Sequence, residues 1–386
     1  MKKRILALCT ACLMLMAVLA GCGGDSGSSA AENSDTITIG GLAPLTGNVS
    51  VYGVATNNAV KMAFDEINAN GGILGKQVNY VVYDEKGDAT EAVQAFNKLV
   101  DNDKIIALIG DVTSKPTQAV AQKAAAINMP MITGTATALN VTDAGENVFR
   151  VCFTDPFQGS LMAKYANKLG AKSAAIIYDI TDDYSQGLAE AFEATAKENG
   201  IEIVAKEGYS SGDVDFQSQL TVIADSNPDV FYIPCYYEDV ALIAVQAMNK
   251  GIDCTLLGGD GWDGVLDQID ESNLDALKDV YFCKGFTTDS DDERIQSFIE
   301  NYKKLYNADP VSFSALGYDA AYMLKQAIET AGSTDSAAII EALKNIQFDG
   351  ITGATVFDDH RDPIKNAFIT TVKDGAYSLV EVFGQE

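Results

Sequence analysis

Three segments of this sequence place polar residues where a small charged ligand could be held. Ser114 follows the apolar run 105–109 at a predicted helix start, where a hydroxyl and free backbone N–H groups suit a carboxylate. Thr135 and Thr137 follow the apolar run 129–133. Asp260 lies in a glycine-rich loop that follows the apolar run 255–257. Each residue type is also common in helix caps and turns, so each position alone has a purely structural explanation. Together they predict a site for a zwitterion, with an anion pocket and an acid for a cation.

Three tyrosines could also line this site, and a second acid is an alternative partner for the ligand's cation. Tyr52, Tyr184 and Tyr236 follow predicted strands and could form aromatic walls, although such rings often belong only to the edge of a core. Asp111 competes with Asp260, but it precedes the predicted helix start, where its charge would repel a carboxylate. None of these segments contains arginine, so none offers a bidentate partner for a second carboxylate. We therefore predict an amino-acid ligand with a neutral side chain.

The elements that must position these residues alternate between short apolar strands and helical patterns. Such alternation predicts parallel sheets covered on both faces, and ligands in such folds bind beyond the carboxyl ends of the strands. The predicted strands are 36–41, 77–84, 105–109, 129–133, 174–178, 201–206, 230–233 and 255–257, with helices between them. Further helices are predicted near 292–306, 314–330 and 335–346, and further strands at 354–357, 367–372 and 377–382.

The overall composition excludes several classes of function. The 386 residues include 27 basic and 54 acidic side chains, a net charge of −27, which opposes binding to nucleic acid or to anionic membranes. A hydrophobic content of 47% is typical of a folded protein, and this length favours two lobes over a single core. With His360 as the only histidine, multi-histidine metal sites are excluded. We predict no metal and no cofactor.

The first 35 residues predict an export signal and a tether. Residues 2–4 are basic and residues 5–20 almost wholly apolar, so residues 1–21 read as a signal peptide. Residues 19–22, Leu-Ala-Gly-Cys, resemble the bacterial lipoprotein box, which implies a lipidated Cys22 as the new N-terminus. Ordinary secretion with an unmodified cysteine is the alternative. Residues 22–35 then form a flexible tether spanning about 20 Å, holding the protein at the outer face of the cytoplasmic membrane.

Other patterns suggest chemistry less strongly. Residues 208–212 match the G-x-S-x-G elbow of hydrolases, but a loop follows Ser210 where a helix should, and only His360 could act as base. Residues 70–76 resemble a phosphate loop in the wrong helix-to-strand order, and the acidic runs lack calcium-ligand spacing. A hydrolase using Ser210 or Ser114 remains the competing function. Four cysteines could be thiols or form one or two disulfides: Cys152, Cys235, Cys254 and Cys283.

The chain from about 36 to 383 resembles the type I periplasmic binding proteins, and most closely the branched-chain amino-acid binding proteins of ABC importers. The segments that carry this resemblance are 44–47, 51–53, 67–73, 110–118, 132–138, 184–189 and 258–261. The resemblance implies an α/β fold of two doubly wound parallel-sheet lobes joined by a multi-strand hinge. It implies an N-lobe from 36–155 with 286–360, and a C-lobe from 156–285 with 361–386.

The resemblance also implies roles for individual residues. Ser114, Thr135 and Thr137 correspond to positions that bind the ligand's carboxylate and ammonium, and Asp260 to an acid facing the ammonium. The family commonly has glutamate at the last position. Tyr52, Tyr184 and Tyr236 correspond to aromatic residues lining the cleft. Two further departures are Lys115-Pro116 in place of smaller hydroxylated residues, and Gly87 and Thr113 in place of a disulfide found in some relatives.

The implied function is capture of leucine, isoleucine or valine in a cleft that closes about a hinge, followed by delivery to the permease subunits of an ABC importer. The alternative ligand is another small polar molecule, such as an amide or an aromatic acid. The protein would be a monomer with no catalytic residues and no nucleic-acid partner. A sensor role would need a membrane span or a signalling domain in the chain, and the sequence shows neither.

Overall fold

The computed structural model of this protein describes residues 35–384. The predicted signal peptide, the proposed lipidation site Cys22 and residues 23–34 of the tether lie outside the described residues. Between residues 35 and 384, none of the helices combines the length and the apolar character needed to cross a membrane.

The first sheet contains five parallel strands in the order β2-β1-β3-β4-β5. Its strands are β1 (Thr36–Ala43), β2 (Gln77–Asp84), β3 (Ala107–Ile109), β4 (Met131–Thr133) and β5 (Val148–Arg150). Helices α1 (Ser50–Ala69), α2 (Ala89–Asp101) and α3 (Ser114–Ala126) alternate with them. Every residue of β3, β4 and β5 is buried, as expected for parallel strands covered on both faces.

The second sheet has seven strands in the order β14-β13-β10-β9-β8-β6-β7. Its strands are β6 (Ser173–Asp179), β7 (Glu202–Tyr209), β8 (Val230–Tyr232), β9 (Thr255–Gly258), β10 (Val280–Lys284), β13 (Ala367–Lys373) and β14 (Ala376–Phe383). Helices α4 (Asp155–Lys168), α5 (Asp183–Glu198), α6 (Gln217–Ser226) and α7 (Tyr237–Lys250) accompany them. Strands β6 to β10 run parallel, whereas β13 and β14 are antiparallel additions at one edge.

Three more helices return to the first sheet and complete its lobe. They are α8 (Glu293–Tyr306), α9 (Ser312–Ala331) and α10 (Ser336–Lys344), followed by a small hairpin of β11 (Phe348–Gly350) and β12 (Gly353–Thr355). Apolar residues of α9 and α1 share one core with the first sheet. The chain therefore crosses between the two sheets three times, at residues 151–154, 285–292 and 356–366.

The predicted fold class is confirmed, and the differences are local. Strands β5, β10 and β11 were not predicted, because runs of three to five residues are too short to show a strand period. Strand β7 extends to Tyr209, so the hydrolase-like segment begins within a strand. All four cysteines of the described chain are free thiols, which resolves the open question of disulfides.

Candidate ligand-binding site

A small cavity lies where the carboxyl ends of the two sheets face each other. Six of the seven predicted site residues line it, namely Ser114, Thr135, Thr137, Tyr184, Tyr236 and Asp260, together with Val112, Thr113 and Phe313. Except for Phe313, which lies in α9, these residues follow the ends of β3, β4, β6, β8 and β9, the position at which doubly wound sheets bind ligands.

The first wall of the cavity is the N-terminus of α3. The helix begins at Ser114, as predicted, and its N-cap residue is Thr113. No side chain accepts a hydrogen bond from the free N–H groups at this end of the helix. The Ser114 hydroxyl instead accepts the Ala138 N–H at 3.3 Å. An uncapped helix N-terminus beside a hydroxyl is a favourable place for a carboxylate.

The loop after β4 is fixed from behind by hydrogen bonds. The Thr135 hydroxyl donates to the Val112 carbonyl at 2.6 Å, which ties this loop to the segment before α3. Arg150, fully buried, donates to the carbonyls of Ala136 and Ala138, each at 2.9 Å. Its Nε lies 2.6 Å from Asp362. The guanidinium group thus pairs with backbone carbonyls and with Asp362. It stabilises the conformation of the loop and does not line the cavity.

The opposite wall is built around Asp260. The Tyr184 hydroxyl donates to the Asp260 carboxylate at 2.8 Å and accepts the Gly261 N–H at 2.8 Å. The side-chain oxygen of Gln158 accepts the Asp260 N–H at 2.9 Å. A side chain at Gly261 would come within 2.7 Å of the Tyr184 hydroxyl, so this close approach requires glycine. The Tyr184 and Tyr236 rings stack with centroids 4.7 Å apart and form an aromatic side to the cavity.

Two buried acids near the cavity differ in protonation. Burial raises the pKa of Asp260 to about 6, while hydrogen bonds from Tyr184 and Gln158 oppose the rise. Asp155 lies behind Thr137, and burial together with the charge of Asp260 raises its pKa well above the usual range. Neither Asp155 carboxylate oxygen has a hydrogen-bond partner of good geometry among the described residues. At neutral pH we therefore assign the negative charge of the cavity to Asp260.

The pKa of Asp260 predicts how binding depends on pH. A ligand ammonium favours the ionised carboxylate, so below about pH 6 a proton must be displaced before the ligand can pair with it. Affinity for an amino acid should fall, by up to about tenfold per pH unit, as the pH drops below about 6. Calorimetric titrations across this range measure the effect. Affinity that stays constant down to about pH 4.5 would contradict the assignment.

Tyr52 lies beside the cavity and connects the two lobes. Its ring stacks on Phe313 with centroids 4.0 Å apart, and its hydroxyl donates to the Gly261 carbonyl of the opposite lobe. The same hydroxyl accepts the Tyr237 N–H at 3.1 Å. Tyr52 therefore supports the wall formed by Phe313 and links the lobes directly, in addition to the aromatic role predicted from the sequence.

Replacing Tyr52 by phenylalanine should weaken ligand binding by about 1 kcal/mol. The ring can still stack, but the closed lobes lose two hydrogen bonds and leave the Gly261 carbonyl and the Tyr237 N–H unpaired. Titration calorimetry of Y52F measures the loss. Tyr306→Phe is the matched control, because that hydroxyl bonds within one lobe, to the Asn58 carbonyl. Equal affinities for the two variants would show that the lobe-to-lobe bonds contribute nothing.

The whole described fold matches one family model. Residues 36–376 match the model described as a periplasmic binding protein. The chain belongs to the periplasmic binding protein family. This family is a class of solute-binding proteins, and the two-lobe arrangement agrees with its type I fold.

Individual relatives of this periplasmic binding protein are similar over most of their length. The Leu/Ile/Val-binding protein BraC3 of Rhizobium johnstonii is 36% identical over 313 residues, covering 80% of this chain and 83% of that protein. The structure of the leucine-binding protein LivK of Thermotoga maritima has a TM-score of 0.85 at 34% identity, covering 90% of this chain and 99% of LivK. The structure of LivJ of Streptococcus pneumoniae with bound isoleucine has a TM-score of 0.83 at 34% identity, covering 89% of this chain and 99% of LivJ.

Several residues of the site in this periplasmic binding protein escaped the sequence analysis. Phe313 begins a helix far along the chain, and nothing in its local sequence indicates a cleft. Gln158 and Asp155 lie in the first turns of α4, where polar residues are expected for capping alone. Val112 and Thr113 do have a local signal, because they directly precede Ser114 in the segment between β3 and α3.

The residues of the competing hydrolase hypothesis do not assemble. Ser210 lies in an exposed turn, where its N–H donates to Asp213. His360 is exposed in the 356–366 connection, with Nδ1 3.5 Å from the Asp143 carboxylate. Ser114 faces amides and the cavity, not a base. Across residues 35–384, no group of three or more histidine, cysteine, aspartate or glutamate side chains is arranged to hold a metal ion.

Proposed function

We propose that this protein captures a neutral L-amino acid, one of leucine, isoleucine or valine, for an ABC importer. The observation that carries the proposal is the polarity of the cavity: an uncapped helix N-terminus with Ser114 on one wall, and the buried acid Asp260 on the other. The two walls suit the carboxylate and the ammonium of an amino acid. The Leu/Ile/Val-binding protein BraC3, the leucine-binding protein LivK and the isoleucine bound to LivJ agree with this ligand class.

The rest of the cavity suits an aliphatic side chain. Val112, Phe313 and the stacked rings of Tyr184 and Tyr236 supply apolar surface, and no cation lines the cavity to pair with a second carboxylate. Arg150, which supports the loop after β4, is held by the carbonyls of Ala136 and Ala138 and by Asp362. An acidic amino acid would therefore bury an unpaired charge, which is costly. The proposed site residues remain the seven named from the sequence, with Phe313 added.

We propose that the lobes close on the ligand, because only closed lobes contact it from both sides. Hydrogen bonds that join the two lobes directly support a closed form. Lys115 donates to the Thr181 carbonyl at 3.1 Å, Asn140 to Asp183 at 3.1 Å, and the Ser312 N–H to Asp263 at 2.7 Å. These contacts lie at different points around the cavity and stabilise the closed form together with Tyr52.

We further propose that the protein acts outside the cytoplasm as a binding protein and not as an enzyme. It would be held at the membrane surface by a lipid on Cys22 and would deliver its ligand as a monomer to permease subunits. The apolar residues 5–20 and the lipoprotein-like residues 19–22 support export and anchoring. The separation of Ser210 from His360 supports the absence of hydrolase chemistry.

A thermal-shift screen of the purified protein tests the proposed ligand class. A ligand present at about 1,000 times its dissociation constant adds about 4 kcal/mol to the free energy of unfolding. We expect a clear increase in melting temperature with leucine, isoleucine or valine, and none with glutamate or benzoate. A shift with benzoate and none with any aliphatic amino acid would reject the proposal and favour an aromatic acid.

A further inference from the structure

Two fully buried carboxyl groups meet directly behind the proposed carboxylate pocket. Glu85 follows the end of β2 and Asp111 follows the end of β3, and both residues are 0% exposed. The strands that precede them lie on either side of β1, and each carboxyl group is among the groups that most affect the pKa of the other. Both oxygens of Glu85 and Oδ2 of Asp111 are buried and have no hydrogen-bond partner of good geometry among the described residues. Two ionised carboxylates cannot bond to each other, so a proton between them is the arrangement that satisfies both.

Within residues 35–384, no cation is among the groups that most affect the pKa of either acid. Apart from burial and each other, the groups with the largest influence on these two acids are the Gly87 and Val112 N–H groups and the acid Asp84. Asp111 in turn raises the pKa of the buried Tyr80 phenol. Burial raises the pKa of Glu85 and of Asp111, and their mutual interaction raises that of Glu85 further. The Val112 N–H donates to Asp111, which favours Asp111 as the ionised member of the pair and Glu85 as the proton donor.

Asp111 also fixes the segment that presents the carboxylate pocket. Its Oδ1 accepts the Val112 N–H at 2.6 Å, and its carbonyl accepts the Thr133 hydroxyl at 2.7 Å. The Val112 carbonyl in turn accepts the Thr135 hydroxyl. Val112 and the next two residues line the cavity, so the position of Asp111 sets the position of the pocket. A second negative charge on the pair would also repel a ligand carboxylate at this end of the cavity.

We propose that Glu85 and Asp111 are positioning residues that share one proton, and that loss of this proton weakens binding at the carboxylate pocket. This inference rests on the proposed amino-acid function. Ligand affinity should then fall at both ends of the pH range. Protonation of Asp260 would lower the affinity at acidic pH, and loss of the shared proton would lower it at alkaline pH.

Glu85→Gln tests the proposal, because the glutamine amide can donate to Asp111 permanently. In the parent protein, affinity for leucine, isoleucine or valine should fall about tenfold between about pH 6.5 and pH 9. In E85Q, affinity should stay near the parent's value at pH 6.5 over the whole range. An equal decline in parent and variant would overturn the proposal, as would E85Q binding that is weak at every pH. Asp111→Asn, whose amide can donate to Glu85, provides the same test if E85Q does not fold.

Unfolding without ligand separates this inference from the proposed function. Acids with a raised pKa bind more protons in the folded than in the unfolded protein, so the free energy of unfolding falls as pH rises towards the raised pKa. Between about pH 6.5 and pH 9, the parent should lose more stability in urea than E85Q does. This difference would support the shared proton even if no amino acid bound. Equal losses would overturn it even if the ligand class were correct.

Discussion

Replacing Asp260 by asparagine should weaken amino-acid binding by about 2–5 kcal/mol, the cost of removing one partner of a buried charge pair. Asp260 is 5% exposed, and its carboxylate is the negative charge that we assign to the cavity at neutral pH. A ligand ammonium enclosed without it would be buried and unpaired. Titration calorimetry at about pH 7.5 measures the loss.

The asparagine side chain has nearly the same size and can still accept the Tyr184 hydroxyl, so the fold of D260N should be retained. Asp253→Asn is the control for a change of charge alone, because this acid is exposed and pairs only with exposed Lys278. D253N should bind like the parent. If D260N also bound like the parent, the ammonium would not face Asp260, and the amino-acid hypothesis would fail while the fold stayed correct.

Replacing Arg150 by methionine should lower the free energy of unfolding by about 3–5 kcal/mol, the cost of breaking a buried ion pair from one side. Asp362 would keep a buried charge without a partner, and the carbonyls of Ala136 and Ala138 would lose their donors. Because those carbonyls flank Thr137, binding should weaken as well. Urea unfolding of the variant gives the stability change.

A double variant distinguishes loss of the ion pair from loss of packing. Adding Asp362→Asn to R150M removes the unpaired charge, so part of the stability should return. Burial already raises the pKa of Asp362, so the defect of R150M alone should also be smaller at about pH 5. A double variant as unstable as the sum of its single variants would show that the pair contributes no coupling energy.

The sequence predicted the cavity walls because the relevant residues follow strands whose ends must meet. Ser114, Thr135 and Asp260 follow β3, β4 and β9, and in doubly wound sheets these ends converge whatever the details of packing. The hydrogen bond from Tyr184 to Asp260 joins residues 76 positions apart and has no local sequence signal. Their proximity in space was predicted, but not this contact.

Other parts of the site depend on tertiary contacts that local patterns do not encode. Phe313 reaches the cavity because α9 packs on α1, and Arg150 lies on a three-residue strand recognisable only beside β4. The pairing of Glu85 with Asp111 depends on two loops meeting beyond the end of β1. Asp111 was considered as a rival ligand contact, whereas the structure buries it against Glu85.

A crystal structure of the protein with bound isoleucine tests the central claim most directly. The ligand's carboxylate should lie at the N-terminus of α3, within hydrogen-bonding distance of the Ser114 hydroxyl, and its ammonium should lie against Asp260. The side chain should contact Phe313 and the stacked tyrosine rings. An ammonium placed at α3, or isoleucine bound outside this cavity, would contradict the account.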